Sequence, residues 1–372
     1  MTLQTESRTA LGEFIELLQE VDTRWSGPEW NLNSPEDIVG SHRALMHIIE
    51  ASLVGNFELD ASQPDFRRIT TPSRKLTGDN SDAIYFDAPV SPDHAYVIHG
   101  SIHGAAYFSL TIEVGAENGH MATRTAGVIN DQNLEIDSNG DFTVYLGGEP
   151  KDKGWLPLEP GASRVTTRHY FEHASPAAMA PNLEPRIRIE CLTAKGVPAA
   201  APTDETVSAG IRRVCNAIHG RTLGMLPMAN GVLPPFVSLT PNVFPPPQPP
   251  GDFGLAAFDA YYSMAPFFLG PDDALVITGR WPECRFANVC LWNRFQQTLD
   301  FRSRSVSLNR TQTVVESDGS FRIIIAHSDP GLPNWLDTEG NLFGLVFWRF
   351  FLVTGDAETP QATVTKLSEL EA

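Results

Sequence analysis

Imidazoles are the side chains best suited to exchange protons, or to hold a metal, near neutral pH. Four of them, His99, His103, His169 and His173, fall in two pairs, the members of each pair four residues apart. On one straight strand such a pair is separated by ~13 Å at ~3.3 Å per residue, too far to share one ion. His169 and His173 would approach each other only if a strand ends between them, which Ala174-Ser175-Pro176 allows. His99 and His103 would approach across a hairpin at Gly100 to Ile102. All four are candidate acid-base groups, and His99, His103 and His169 are the candidate ligands should a single divalent metal be bound. The competing reading makes them satisfied or surface histidines.

A second concentration of reactive side chains lies in HSDPGLPNWLDTEG, where His327, Asp329, Asn334, Asp337 and Glu339 crowd a frame of Pro and Gly. Asp329 and Asp337 beside an imidazole would suit acid-base work on a neutral substrate. The simpler account is an Asx-type turn in which both carboxylates accept from nearby backbone amides. In RFANVCLWNRFQQTLDFRSRS, Trp292 and Asn293 begin an alternation of aromatic and amide groups that sugar-binding sheets present, as do solvated strand faces. Trp292, Asn293, Asn334, Trp335 and Phe236 are the candidate substrate-binding residues. No GxSxG, HExxH, Walker loop, GxGxxG after a strand, or Cys beside a His occurs, so no nucleotide or flavin cofactor is expected.

The chain that must position these groups has 372 residues, enough for two domains with cores of their own. Hydrophobic residues make up 42% and charged residues 19%, the mixture of a folded globular protein. Lys and Arg number 27 against 45 Asp and Glu, a net charge of −18, which would repel a phosphate backbone; nucleic acid and anionic membrane are set aside as partners. The start, MTLQTESRTALGEF, lacks the basic and apolar stretches of a signal peptide, and no apolar run reaches the ~18 residues of a membrane span, so a cytoplasmic location is expected. Cys191, Cys215, Cys284 and Cys290 show no CxxC and no zinc spacing, and read as free thiols.

Leu11, Phe14, Ile15, Leu18 and Trp25 recur at helical intervals. Ser34 as N-cap, Pro35 and the acidic Glu36 and Asp37 open a second helix with an apolar face of Ile38, Leu45, Ile49 and Leu53, expected to pack on the first. From about residue 65, short runs such as AIYF, AAYFSLTIEV, DFTVYL and RIRIEC read as antiparallel strands. A third helix starts at the N-cap Thr203, with Val207, Ile211, Val214 and Ile218 on one face. Residues 222–251 are too rich in proline for helix or central strand. Met225, Leu226, Met228, Val232, Leu233, Phe236 and Phe244 make that stretch more apolar than a solvated linker, so it reads either as a linker or as a lid over a pocket.

Compared with itself, the chain repeats. Pro92, Asp93, Ala95, Val97, Ile98 and Gly100 recur as Pro271, Asp272, Ala274, Val276, Ile277 and Gly279, an offset of 179 residues. The same offset matches Ile129-Asn130 to Leu308-Asn309 and Asn139-Gly140-Asp141-Phe142 to Asp318-Gly319-Ser320-Phe321; with slight drift, Trp155-Leu156 matches Trp335-Leu336 and Arg168 matches Arg349. The expected architecture is mainly β with accessory helices: two tandem, jelly-roll-like antiparallel β-sandwich units from an internal duplication. The expected boundaries are helices at 1–57, a first β unit at 58–200, a helix and proline-rich segment at 201–251, a second β unit at 252–358 and a tail at 359–372. Residues shared by both copies, such as Arg168 and Arg349 or Trp155 and Trp335, read first as structural. The histidines are different: Thr278, Pro282, Phe350 and Thr354 stand at their places in copy two.

The segments GDNSDAIYFDAPV, SNGDFTVYL and RSVSLNRTQTVVESDGSFRIIIAHSDPGLPNWLDTEG, with the Arg349 strand after them, resemble the bacterial domain-of-unknown-function family twelve-fourteen, often found with a companion numbered twelve-fifty-four. The resemblance implies a β-sandwich of jelly-roll type and supplies no catalytic residues. The functional expectation is therefore a non-redox acid-base enzyme (lyase, isomerase or hydrolase) acting on a small, largely apolar molecule in a pocket between the β units. The alternative is a ligand-binding protein, for example for carbohydrate, or an assembly protein. A homo-oligomer is compatible with either.

Overall fold

The computed structural model describes residues 3–225, 233–251, 255 and 257–370. Three helices precede or separate the β units: α1 (Glu6–Glu20), α2 (Pro35–Asn56) and α3 (Asp204–Arg221). Each begins at a hydroxyl cap: Thr5, Ser34 and Thr203 accept from the amides of Arg8, Asp37 and Thr206. Both α1 and α2 pack on α3. The buried side of α1 is Ala10, Phe14 and Leu17, continued by Val21 and Trp25, while Leu11 and Ile15 are half exposed. The face expected from the larger aliphatic residues is thus rotated by about one residue, or ~100°. Small Ala10 lets the backbone approach α3, and the line from Phe14 leads to the Trp25 ring. None of the described helices is long and apolar enough to cross a membrane.

The first β unit contains β1 (Arg67–Arg68), β2 (Ala83–Pro89), β3 (Tyr96–Ser101), β4 (Tyr107–Val114), β5 (Arg124–Asn130), β6 (Asp141–Leu146), β7 (Trp155–Leu156), β8 (Ala162–Tyr170) and β9 (Ile187–Cys191). They form an inner sheet, β1-β2-β8-β4-β5, and an outer sheet, β7-β6-β3-β9. The second unit contains β10 (Ala260–Phe268), β11 (Asp273–Gly279), β12 (Phe286–Trp292), β13 (Ser307–Asn309), β14 (Phe321–Ala326), β15 (Trp335–Asp337), β16 (Phe343–Phe351) and β17 (Gln361–Lys366). Its sheets, β10-β16-β12-β13 and β15-β14-β11-β17, repeat the order of the first, so the duplication read from the sequence is a duplication of two-sheet sandwiches. Arg168 lies opposite Tyr85 and Ser109, as Arg349 lies opposite Tyr262 and Asn288. β7 and β15 run parallel to their neighbours, the other pairings being antiparallel.

Each unit has its own core, and the two inner sheets stack on each other through a third apolar layer that includes Tyr85, Tyr107, Tyr170, Tyr262, Phe286, Phe347 and Phe351. The Tyr107 and Phe351 rings stack across this seam with centroids 4.4 Å apart. A strand covered on both sides has no reason to alternate. Accordingly β2 and β12 are buried at every position, while β6, in the outer sheet, alternates between buried and partly exposed.

Candidate functional site

A cleft of about 1080 Å³ opens in the first unit, along β6, β3 and β9. Period-two alternation in the outer sheet turns one set of side chains away from the core, and the register brings three of them into a row: Thr143, His99 and Arg188. Tyr145 is two residues further along β6. Phe66, Phe86, Phe142 and Ile187 form the apolar part of the wall, while Glu135, Asp137, Asp141, Glu184, Lys153 and Arg186 supply charge. Gly100 is required beside them, because a Cβ there would come within 2.5 Å of the Phe142 ring; Gly279 and Phe321 repeat this close approach in the second unit.

Several of the charged groups are already engaged. Lys153 pairs with Glu135 at 2.6 Å, Arg186 with Asp141 at 3.6 Å and Arg68 with Glu184 at 3.5 Å. Asp137 Oδ1 accepts from the amides of Asn139 and Asp141 and so fixes the turn before β6. His99 Nδ1 lies 3.2 Å from Thr143 Oγ1. Among the described residues, His99 Nε2, the Arg188 guanidinium and the Tyr145 hydroxyl have no hydrogen-bond partner within the chain. The cleft therefore offers an imidazole nitrogen, a cation and a phenol that the fold itself leaves free.

The other histidines are elsewhere. His103, exposed in the turn after β3, places Nε2 2.8 Å from the carbonyl of Asn182. That turn carries the chain from the outer to the inner sheet, so the hairpin expected at Gly100 to Ile102 is absent: β3 pairs with β6 and β9, and β4 with β5 and β8. His169 is fully buried in the first core, donating to Ser101 O at 3.2 Å, with Phe108 and Phe86 against its ring. Burial pulls its pKa down to about 3, so it is neutral at physiological pH. His173 leans on Phe171. Among the described residues, no group of three His, Cys, Asp or Glu side chains is arranged to hold a metal ion, and His99, His103 and His169 have separate partners.

In the second unit, Asp329 Oδ1 accepts from the Gly331 amide at 2.8 Å, and Asp337 Oδ1 from the Glu339 amide at 2.7 Å, while Asp337 Oδ2 pairs with Arg304. Both carboxylates thus shape turns. Asn334 tethers the 314 and 322 carbonyls through Nδ2. Trp335 Nε1 donates to Ala326 O as Trp155 Nε1 donates to Gly147 O, the same bond in each copy. Trp292 is buried in the seam, stacked on Phe347 and bonded to Asp79 O. Asn293 closes a turn by accepting from the Phe295 and Gln297 amides. Phe236 is buried against Tyr262 and Phe347. The aromatic members Trp292 and Phe236 are therefore interior and the amides Asn293 and Asn334 are taken up by turns, and of the candidate residues only His99 lines the cleft. Of the apolar residues expected to form a lid, Leu226, Met228 and Val232 lie outside the described residues.

Thr143, Tyr145 and Arg188 were missed by sequence reasoning that looked for rare residue types. Their signal was the polar alternation of DFTVYL and RIRIEC. At the place of Tyr145 the second copy has Ile324, which is buried.

The family model described as "Protein of unknown function (DUF1214)" matches residues 82–173 and 278–352, one segment in each β unit. Among solved structures, an uncharacterised protein from Burkholderia cenocepacia is 23% identical, with a TM-score of 0.80 over 97% of this chain and 98% of that one. A protein from Vibrio parahaemolyticus is 12% identical, with a TM-score of 0.50 over 87% of this chain and 100% of that one. Both likenesses concern the fold. A search of curated proteins finds no match.

Proposed function

The chain carries DUF1214 sequence in both of its β units, and from that premise we propose that it is a ligand-binding protein whose first unit takes a small polar, carbohydrate-class molecule in the cleft beside His99. The observation that supports this reading is the contrast between the two copies. In the second unit the matching sheet face is closed, since Ile324 and Trp335 are packed under Leu332, Leu367 and Leu370. In the first, among the described residues, the cleft retains one imidazole nitrogen, a guanidinium and a phenol hydroxyl without hydrogen-bond partners. Hydroxyl-rich ligands need such mixed donors and acceptors beside an apolar wall. The seam between the units, where a pocket for an apolar molecule was expected, is occupied by aromatic rings instead. Four free thiols fit a reducing, cytoplasmic setting.

Saturation-transfer NMR with a panel of mono- and oligosaccharides tests the reading. At least one sugar should bind, and the double substitution His99→Ala with Arg188→Ala should weaken it at least tenfold, about 1.4 kcal/mol. No binding across the panel, or binding indifferent to both substitutions, rejects it. An acid-base enzyme remains the second reading, because His99 Nδ1 is engaged by Thr143 and Nε2 is left to take a proton. Catalysis would then depend on His99 and be insensitive to His103.

A further inference from the structure

A second, smaller pocket of about 30 Å³ lies where the end of α2 meets the inner sheet of the first unit and the end of α3. Its charged lining is unequal: Arg67, Arg68, Arg164 and Arg221 face the single carboxylate of Asp87. This in a chain of net charge −18.

Part of the cluster has a structural explanation. The last carbonyls of a helix lack partners, and here guanidinium groups supply them: Arg67 donates to Val54 O and Glu58 O, Arg164 to Gly55 O, and Arg213 to Asn56 O and Phe57 O. Arg164 also pairs with Asp87 at 2.5 Å. That account leaves two groups over. Arg221 makes a single 3.3 Å bond to Ala217 O, and among the described residues no carboxylate lies within ion-pair distance of it. Ser52, which also lines the pocket, is buried with no partner for Oγ, although a helical serine ordinarily bonds back to the preceding turn.

The charges point to what is missing. Four arginines meet Asp87, the Glu184 carboxylate that pairs with Arg68, and two helix C-termini of about half a negative charge each, which leaves roughly one positive charge uncompensated. Burial and the neighbouring Arg164 pull the Arg221 pKa down to about 10, as expected for a cation without a counter-ion. Planar guanidinium forks match oxyanions better than a spherical ion.

We propose that this pocket binds a compact oxyanion of the phosphate class, held by Arg164 and Arg221 with a hydrogen bond from Ser52 Oγ, and that the ion ties the helices to the first β unit. Ligand bound only by the folded state raises the melting temperature by mass action. The probe is inorganic phosphate added to the full chain at constant ionic strength, with sodium chloride as the balancing salt.

A saturable rise of about 3 °C at a hundredfold excess over Kd is expected for the native protein. It should vanish in Arg221→Gln and shrink in Ser52→Ala, and persist in Arg212→Gln, a surface control on the same helix. Equilibrium dialysis of labelled phosphate should give one ion per chain. No phosphate uptake by the native protein, uptake unchanged in both Arg221→Gln and Ser52→Ala, or an equal response to chloride alone overturns the assignment. If Arg221→Gln does not fold, dialysis with the native and Ser52→Ala proteins decides the matter.

Discussion

Arg168 and Arg349 hold equivalent places in the two units and meet different company. Arg168 donates to Thr111 Oγ1 at 2.7 Å and to Leu255 O at 3.1 Å, and lies 3.6 Å from Glu113, a carboxylate with no solvent exposure. Glu113 is in turn held by Thr111, Thr125 and the Leu255 amide. Arg349 has no carboxylate among its described partners: it donates to Gly78 O at 2.6 Å and spreads over the Phe347 and Trp292 rings at 4.4 and 5.1 Å, and its Nη1 is buried without a partner. Removing one member of a buried ion pair strands the other, at a cost of ~3–5 kcal/mol. Removing a buried cation that has no carboxylate in ion-pair contact, only the longer-range charge of Asp79, loses one charged hydrogen bond and two ring contacts but relieves its desolvation, for a net loss below about 2 kcal/mol. Arg168→Met should therefore destabilise the protein more than Arg349→Met in urea unfolding, and the reverse ranking would show that the ring contacts, and not the Glu113 pair, dominate the seam. The sequence showed that both arginines recur; it could not show that only one of them has a carboxylate.

At the scale of elements, what could be read from the sequence follows the strength of local periodicity. The caps Ser34 and Thr203 and the outer-sheet alternation of β6 were legible because each is set by neighbours in the chain. The C-terminal β17 was not. Copy one inserts 16 residues between β8 and β9, while nine separate β16 from β17, so the repeat register breaks before it reaches 361–366, and an edge strand exposed along much of its length looks like a tail. The proline-rich segment was ambiguous for a related reason: its role depends on what it lies against. It lines the free edge of β10, exchanging backbone bonds at Met264 with Phe236 and Ser238, and at Tyr262 with Gln248, which covers an edge otherwise open to pairing with other chains. Phe244, 6% exposed, anchors it edge-to-face on Trp348, whereas Val243 is 54% exposed. Phe244→Ala should cost ~3–5 kcal/mol and increase aggregation near the unfolding midpoint. Val243→Ala should stay within ~0.5 kcal/mol. Equal effects in chemical denaturation would mean that the segment is not anchored through Phe244.

Across the whole molecule, the residues that carried the family resemblance, GDNSD and SLN, turn out to be where one unit grips the other. Asp82 and Asp259 stand just before equivalent inner strands of their units, β2 and β10. Asp259 accepts from Tyr107 and Asn130 of the first unit, and Asp82 from Asn288 of the second. Such crossed exchange is the pattern of an isologous dimer contact, here within one chain. Asn80 and Asn288 add a reciprocal amide pair, and Ser81 bonds Ser307 at 2.6 Å. Asp82 Oδ1 is nevertheless buried without a partner. Burial pushes the Asp82 carboxyl up to about 7; the Asn288 and Asn309 amides oppose that rise, and the nearby charge of Glu172 adds to it. Because its folded pKa lies above the unfolded value of 3.8, Asp82 contributes stability as a neutral acid at low pH, and this is lost as pH rises through about 7. His169, with a pKa of about 3 in the folded state, adds its own pH dependence below ~6.5 to the native protein and to an Asp82 variant alike, so the difference between them isolates Asp82. Asp82→Asn keeps the shape of the neutral acid and removes the charge, so the advantage of its urea midpoint over that of the native protein should grow from about pH 4 to about 7 and level off above. The variant should be more stable by roughly 4 kcal/mol at the upper end. Parallel midpoints for the two proteins would mean that Asp82 is ionised throughout and that the seam tolerates its charge.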